Sequence, residues 1–575
     1  MIHRLGVELL TNIFELLCSQ YGLKTFVKWK NLHMGLKSNA PYTIVIAPTL
    51  TLAQTCAALA WRRLALTTPS LWSKLSVDIA CNAANIRDVV DLYLKRSSES
   101  ALTLEVELDY SAVSWHTGWD ADANPEWDEP NVPKYSLDEI PEDSWTLLRA
   151  LLSENHRWCD ASFIFHRFLF SALVKNKKDP ILNLLNAMGD ATLGLLERLK
   201  LSWEVRQDED IQEGHLEEPK SILFFDWLAS GSPKLHTVTL TELNLKVFKM
   251  PNKILLMYHL RNLRTISCDT FSEDDPVVGG TSLSDIAHVL QNCTGLEVAE
   301  LDMAVHSSLQ PFTHNTLRSL KCKIRDRGVA SEFFSAITLP SLKQLTICFT
   351  ETEGVSESEQ DQTQRRFLEE LEGLLGRSSS QLQHLALDGP TFRSDQELIT
   401  VVSSVPTVTH LVLGFPYSTN LWTDALVVRL TRGATAELLP SLLSIDITIT
   451  WHGAYSKKQA PHLADLDMLY SMLHSRVSPT TSSNQARLGH FGFTGQSKIG
   501  YESKPMSSYL SKLETRLSKA QFTQEGLQWF VKKDEVEPYE TEEEFDWNQH
   551  HALPMFDLSQ IEAQDRTSDC SEEDW

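Results

Sequence analysis

Leu339-Pro-Ser-Leu342-Lys-Gln-Leu345-Thr-Ile347 and Leu439-Pro-Ser-Leu442-Leu-Ser-Ile445-Asp-Ile447 are two copies of one pattern. In each, a short polar turn leads into a hexad of the form Leu-x-x-Leu-x-Leu, with isoleucine admitted at its later apolar places. Outward from this pair, further hexads stand at 196–201, 235–240, 263–268, 296–301, 317–322, 382–387, 408–413 and 488–493. WCDASF at 158–163 is a degenerate first copy. Apolar and polar residues alternate through the second half of each hexad, the period of a half-buried strand.

Helical stretches lie between the hexads, among them 181–189, 282–293, 365–376 and 423–433. Strand, helix and strand recurring at intervals of 21 to 46 residues is the leucine-rich-repeat pattern. One such unit cannot bury its apolar face alone, so successive units stack into a solenoid. The expected class is α/β: a small N-terminal helical unit followed by an irregular leucine-rich-repeat solenoid over 158–500. Residues 501–533 carry an apolar stripe at Met506, Leu510, Leu513 and Leu517, which predicts a C-terminal capping helix. The apolar hexad positions turn into the core, and the residue between the last two faces outward. That rule predicts a surface column of Lys200, Thr239, Ser267, Glu300, Lys321, Thr346, Ala386, Val412, Asp446 and Gly492.

The chain has 575 residues and a net charge of −24. Residues 109–145 hold ten acidic residues and one basic one, together with four prolines. Residues 534–575 hold fifteen acidic residues and only Arg566 as a base. The remainder is almost neutral, so the composition argues against a nucleic-acid binder, which needs a clustered basic face. Both acidic segments are too poor in aliphatic residues to fold alone and are expected as a long loop, within a linker region 78–157, and a disordered tail. The nine cysteines form no Cys-x-x-Cys pair and are expected as buried thiols in a reducing compartment, cytoplasmic or nuclear. The N-terminal MIHRLGVELLTNIF lacks the apolar core and cleavage site of a signal peptide. The uncharged run between Lys37 and Arg62 is broken by Pro41 and Pro48, so no membrane span is expected.

Residues 7–21 put Leu9, Leu10, Ile13, Phe14 and Leu17 on one helical face. A plain core helix of the repeat domain accounts for this face; so does a docking surface for a partner. The opening Leu5-Gly6-Val7-Glu8-Leu9-Leu10-Thr11-Asn12-Ile13-Phe14 resembles the first helix of an F-box, L-P-x-E-L-L-x-x-I-F, with Gly6 at the proline position. Trp61-Arg62-Arg63-Leu64-Ala65-Leu66-Thr67-Thr68-Pro69-Ser70-Leu71-Trp72 is similar to the second half of that motif as it occurs in large fungal F-box families. The resemblance implies an adaptor-binding domain over 1–77, in a family where leucine-rich repeats commonly follow. It further implies that Leu5, Val7, Leu9, Leu10, Ile13, Phe14, Trp61, Leu71 and Trp72 contact the S-phase-kinase-associated adaptor protein, which joins F-box proteins to a cullin–RING ubiquitin ligase.

No catalytic signature is present: there is no phosphate-binding loop, dinucleotide fingerprint, nucleophile elbow or His-Glu-x-x-His. Val278-Gly279-Gly280 lacks the strand and helix a phosphate cradle requires, and His384 and His410 read as exposed positions on repeat strands. No cofactor or metal is expected. The function expected is a non-catalytic substrate receptor of an SCF-type ubiquitin ligase; the alternative is a repeat scaffold outside ubiquitination. The unknown target protein is expected on Lys200, Thr239, Ser267, Glu300, Lys321, Thr346 and Asp446. The acidic stretches 207–218 and 351–361 would rim that face and favour a basic or mixed partner.

Overall fold

The computed structural model describes residues 23–28, 42–46, 59–79, 84–108, 142–166, 193–204, 232–241, 262–269, 281–349, 357–378, 381–389, 392–416, 421–433, 437–451, 463–478, 486–497 and 504–535. All ten hexads lie on strands: β6 (Arg198–Glu204), β7 (Thr237–Thr241), β8 (Thr265–Asp269), β10 (Val298–Val305), β12 (Ser319–Ile324), β14 (Gln344–Phe349), β15 (His384–Asp388), β16 (His410–Pro416), β17 (Ser444–Trp451) and β18 (His490–Ser497). WCDASF opens β5 (Trp158–His166). Each strand pairs in parallel with the next, within a sheet of 17 strands among the described residues. The short β9 (Thr281–Ser282) joins the end of β10, while β11 (Phe312–Thr313) and β13 (Ile337–Thr338) form a separate small ladder.

The apolar hexad positions make the core. In β12 and β14 buried residues alternate with partly exposed ones, so Leu320, Cys322 and Ile324 stack beside Leu345, Ile347 and Phe349. The first hexad leucine closes the turn that enters each strand: the Leu342 amide donates to Leu339 O at 3.1 Å, and the Leu442 amide to Leu439 O at the same distance. One carbonyl then accepts two amides of the next repeat, as Lys343 O does from Gln383 and His384, which carries the ladder into the turn.

The sheet begins before the expected solenoid. β1 (Leu23–Lys28) pairs antiparallel with β2 (Tyr42–Ile46) and parallel with β3 (Lys74–Asp78), and β4 (Leu102–Leu108) joins β3 to β5. The linker expected over 78–157 is therefore solenoid where it is described. It holds β4, helix α2 (Ala84–Ser97) and helix α3 (Glu142–Ser153), the last taking in residues assigned to the acidic loop. The physical reason is a disguised hexad, Trp72-x-x-Leu75-x-Val77, whose three apolar side chains are all buried. No separate helical unit stands among the described residues of 1–77: helix α1 (Leu59–Thr67) and the 3₁₀ turn Pro69–Trp72 lead directly into β3.

Helices α4 (Leu283–Asn292), α5 (Arg327–Ala336), α6 (Glu357–Ser378), α7 (Asp395–Ser403), α8 (Asp424–Leu430) and α9 (Leu466–Val477) alternate with the later strands. The expected cap is helix α10 (Lys504–Lys519), whose Met506, Leu510, Leu513 and Leu517 are all buried. It does not end the solenoid, because β19 (Gln528–Glu535) follows and pairs in parallel with all of β18. The tail expected from 534 accordingly starts two residues inside a strand. The other residues of 109–145 and 534–575 lie outside the described residues.

Arginines tie consecutive repeats together. A helix ends with carbonyls that no amide of its own can reach, and it carries partial negative charge there. Arg377 of α6 donates to Phe334 O and Ile337 O at the end of α5. Arg476 of α9, 0% exposed, reaches Leu430 O, Leu438 O and Leu439 O at 2.7, 2.6 and 2.8 Å beyond α8. Arg157 does the same towards the end of α2, through Leu94 O, Ser97 Oγ and Ser100 O. Each is a charge-assisted bond across a repeat boundary.

Candidate functional site: the open face of the sheet

The ten residues of the anticipated column are consecutive register partners. Lys200 stands opposite Thr239, then follow Ser267, Glu300, Lys321, Thr346, Ala386, Val412, Asp446 and Gly492. The column runs further at both ends, through Ser162, Glu105 and Ser76 on one side and Phe530 on the other. Lys200 is exposed, Ala386 and Gly492 are buried, and the remaining seven residues of the anticipated set are half-buried. The anticipated target-contact residues thus share one face, the side opposite the buried hexad positions.

Two halves of this face differ in charge. From β5 to β14, register neighbours neutralise each other: Asp160 with Arg198 at 2.9 Å, Glu297 with Arg318 at 3.8 Å, and Glu300 with Lys321 at 3.7 Å. Ser267 Oγ also donates to Glu300 at 2.9 Å. These are cross-strand pairs, each contributing little at an exposed position. Beneath them, Arg325 and Asp302 form a buried pair at 2.9 Å.

From β15 to β19 the face carries imidazoles, small residues, one exposed aromatic ring and the charged side chains of Asp388, Asp446 and the exposed Lys532. His384 and His410 are register partners with ring centroids 6.2 Å apart, and Thr409 Oγ1 lies 2.8 Å from His410 Nδ1. Burial, then the neighbouring His410, lower the pKa of His384 against the opposing pull of Asp446. Asp446 is held by His490 Nε2 at 2.9 Å and by Ser444 Oγ at 3.4 Å. A Cβ at Gly492 would collide with both Asp446 Oδ1 and the Phe530 ring, so only glycine lets the carboxylate and ring lie where they do. Gly414 gives the same room to Asp388. The glycine signal was readable only as two small residues on strands; their acidic neighbours come from strands 26 and 46 residues away.

The adaptor set divides differently. Leu5, Val7, Leu9, Leu10, Ile13 and Phe14 lie outside the described residues, and Trp61 lies on α1. Leu71 and Trp72 are corrected: both are in this chain's own core and offer no surface to an adaptor. Trp72 is fully buried, donates from Nε1 to Ala65 O at 2.7 Å, and packs edge-on against Tyr93 at 4.9 Å. The motif's Trp-terminated end folds inward because it supplies the first apolar place of the disguised hexad.

Of the acidic rims, 207–218 lies outside the described residues, and 351–361 is in part the first turn of α6. Val278-Gly279-Gly280 also lies outside them. Cys268, Cys293 and Cys322 are buried cysteines, and burial pushes the Cys293 thiol up to about 12. Among the described residues no group of three or more His, Cys, Asp or Glu side chains is placed to hold a metal, and no helix is long and apolar enough to cross a membrane.

No protein-family model matches the chain, and no curated protein matches it. Among solved structures it is similar to a Bacteroides fragilis protein, at 12% identity and a TM-score of 0.28 over 64% of this chain and 70% of that one. It is also similar to a chain of the yeast Rad7 and Elc1 complex, at 12% identity and a TM-score of 0.26 over 68% of this chain and 95% of that one. At these scores neither likeness carries an argument about function.

Proposed function

We propose that this protein is a non-catalytic substrate-recognition subunit of a cullin–RING ubiquitin ligase, holding a target on the open face of its repeats. The carrying observation is the uninterrupted register column from Ser76 to Phe530, mostly exposed or half-buried and polar except at Ala386, Val412, Gly492 and Phe530, with the apolar hexad positions turned away. Stacked repeats offer such surfaces to proteins, and the acceleration supplied would be proximity alone. The F-box-like residues 5–14 would bind the adaptor and cullin. Co-purification tests this half: Leu9→Ala with Ile13→Ala should lose adaptor binding about a hundredfold or more, since buried anchors are each worth about 2 kcal/mol. Full adaptor capture by the folded double variant would refute it.

A scaffold role outside ubiquitination is the second reading. It is favoured by the burial of Leu71 and Trp72 within the solenoid, which leaves residues 5–14 as the chief adaptor surface. Absence of adaptor and cullin from the purified full chain would decide for it.

A further inference from the structure

We infer that Asp446 and Phe530 form the recognition point for a basic side chain, arginine above all, on an extended segment of the target. This deepens the recognition reading above and rests on it.

The two groups border one glycine, Gly492, from neighbouring strands: the carboxylate from β17 and the ring from β19. Phe530 is 41% exposed, among the more exposed large apolar side chains of the described residues. Asp446 is bound by an imidazole and a hydroxyl. That sets it apart from Asp160, Glu297 and Glu300, each of which already faces a lysine or arginine on the adjoining strand. A guanidinium matches this pair of groups. Its N–H fork bonds a carboxylate while its plane stacks on an aromatic face, and it is more weakly hydrated than an ammonium. Val412 and Ala386, the preceding column residues, form a smooth approach on which an extended backbone can lie. Farther along the same column, Glu300 is already bridged to Lys321.

The test uses the folded full chain at pH 8, where imidazoles are ordinarily neutral. The probes are eleven-residue peptide pools, each with one fixed central residue and the other positions randomised. The arginine pool should bind best, lysine next, and glutamate at least about tenfold more weakly than arginine. Asp446→Asn, which keeps the shape beside Gly492, should remove the preference for a basic centre. Phe530→Ala should reduce the advantage of arginine over lysine. Glu300→Gln should leave the ranking within about twofold. Equal binding of all pools, or an arginine preference that survives Asp446→Asn, overturns the inference. The ligase reading fails separately: an intact arginine preference in a chain that captures no adaptor leaves this site standing and removes the ubiquitin ligase from the account.

Discussion

Replacing Arg476 by leucine removes the donors that close the end of α8. The guanidinium bonds Leu430 O, Leu438 O and Leu439 O, and its Nη2 lies 3.3 Å from Glu437. Burial lowers its pKa to about 10, Glu437 opposing, so it still carries its charge at neutral pH. Leucine fills part of the space but satisfies none of the three carbonyls. Each buried acceptor left alone costs about 1–3 kcal/mol, offset in part by no longer desolvating a cation. A net loss of about 3–5 kcal/mol follows. In a solenoid, stability is shared chiefly between neighbouring repeats, so the damage should stay local. Hydrogen exchange should quicken by at least about a hundredfold across 424–451 and 466–477, with 298–349 little changed. Arg476→Lys should fall between, because one ammonium cannot span three carbonyls fixed around a fork. If Arg476→Leu alters exchange less than about fivefold, or destabilises 298–349 equally, the repeat-bridging account is wrong.

Gly492→Ala should cost about 1–3 kcal/mol and displace the Asp446 carboxylate from His490, because the added methyl meets both Asp446 and Phe530; thermal unfolding and a crystal structure of the variant check this. His314 should make stability pH-dependent. Its Nε2 lies 3.1 Å from Cys293 O, its Nδ1 accepts the Leu317 amide at 3.2 Å, and burial lowers its pKa. The unfolded chain then binds the proton more readily, so this contribution is present above about pH 6.5 and is lost as pH falls from there towards the lower folded value. His314→Gln should flatten that slope in melts between pH 5 and 8; an unchanged slope would remove His314 from the account.

The sequence by itself determined the repeat and the face it presents. Alternation in hexads such as Leu342–Ile347 decides which side chains turn inward, and a two-residue period needs no knowledge of distant partners. The order of hexads was enough to place Glu300 beside Lys321 and Val412 beside Asp446, since stacked parallel strands pair in sequence order. Only the tertiary structure decided how far the sheet extends. Trp72-x-x-Leu75-x-Val77 and the Trp529–Val531 end strand carry few of the leucines that mark a hexad, and their burial is fixed by the neighbours they cover. It also decided what Asp446 touches. Gly492 and Phe530 are brought to it across helical connections whose lengths follow no fixed period, and only the folded chain turns that separation into contact.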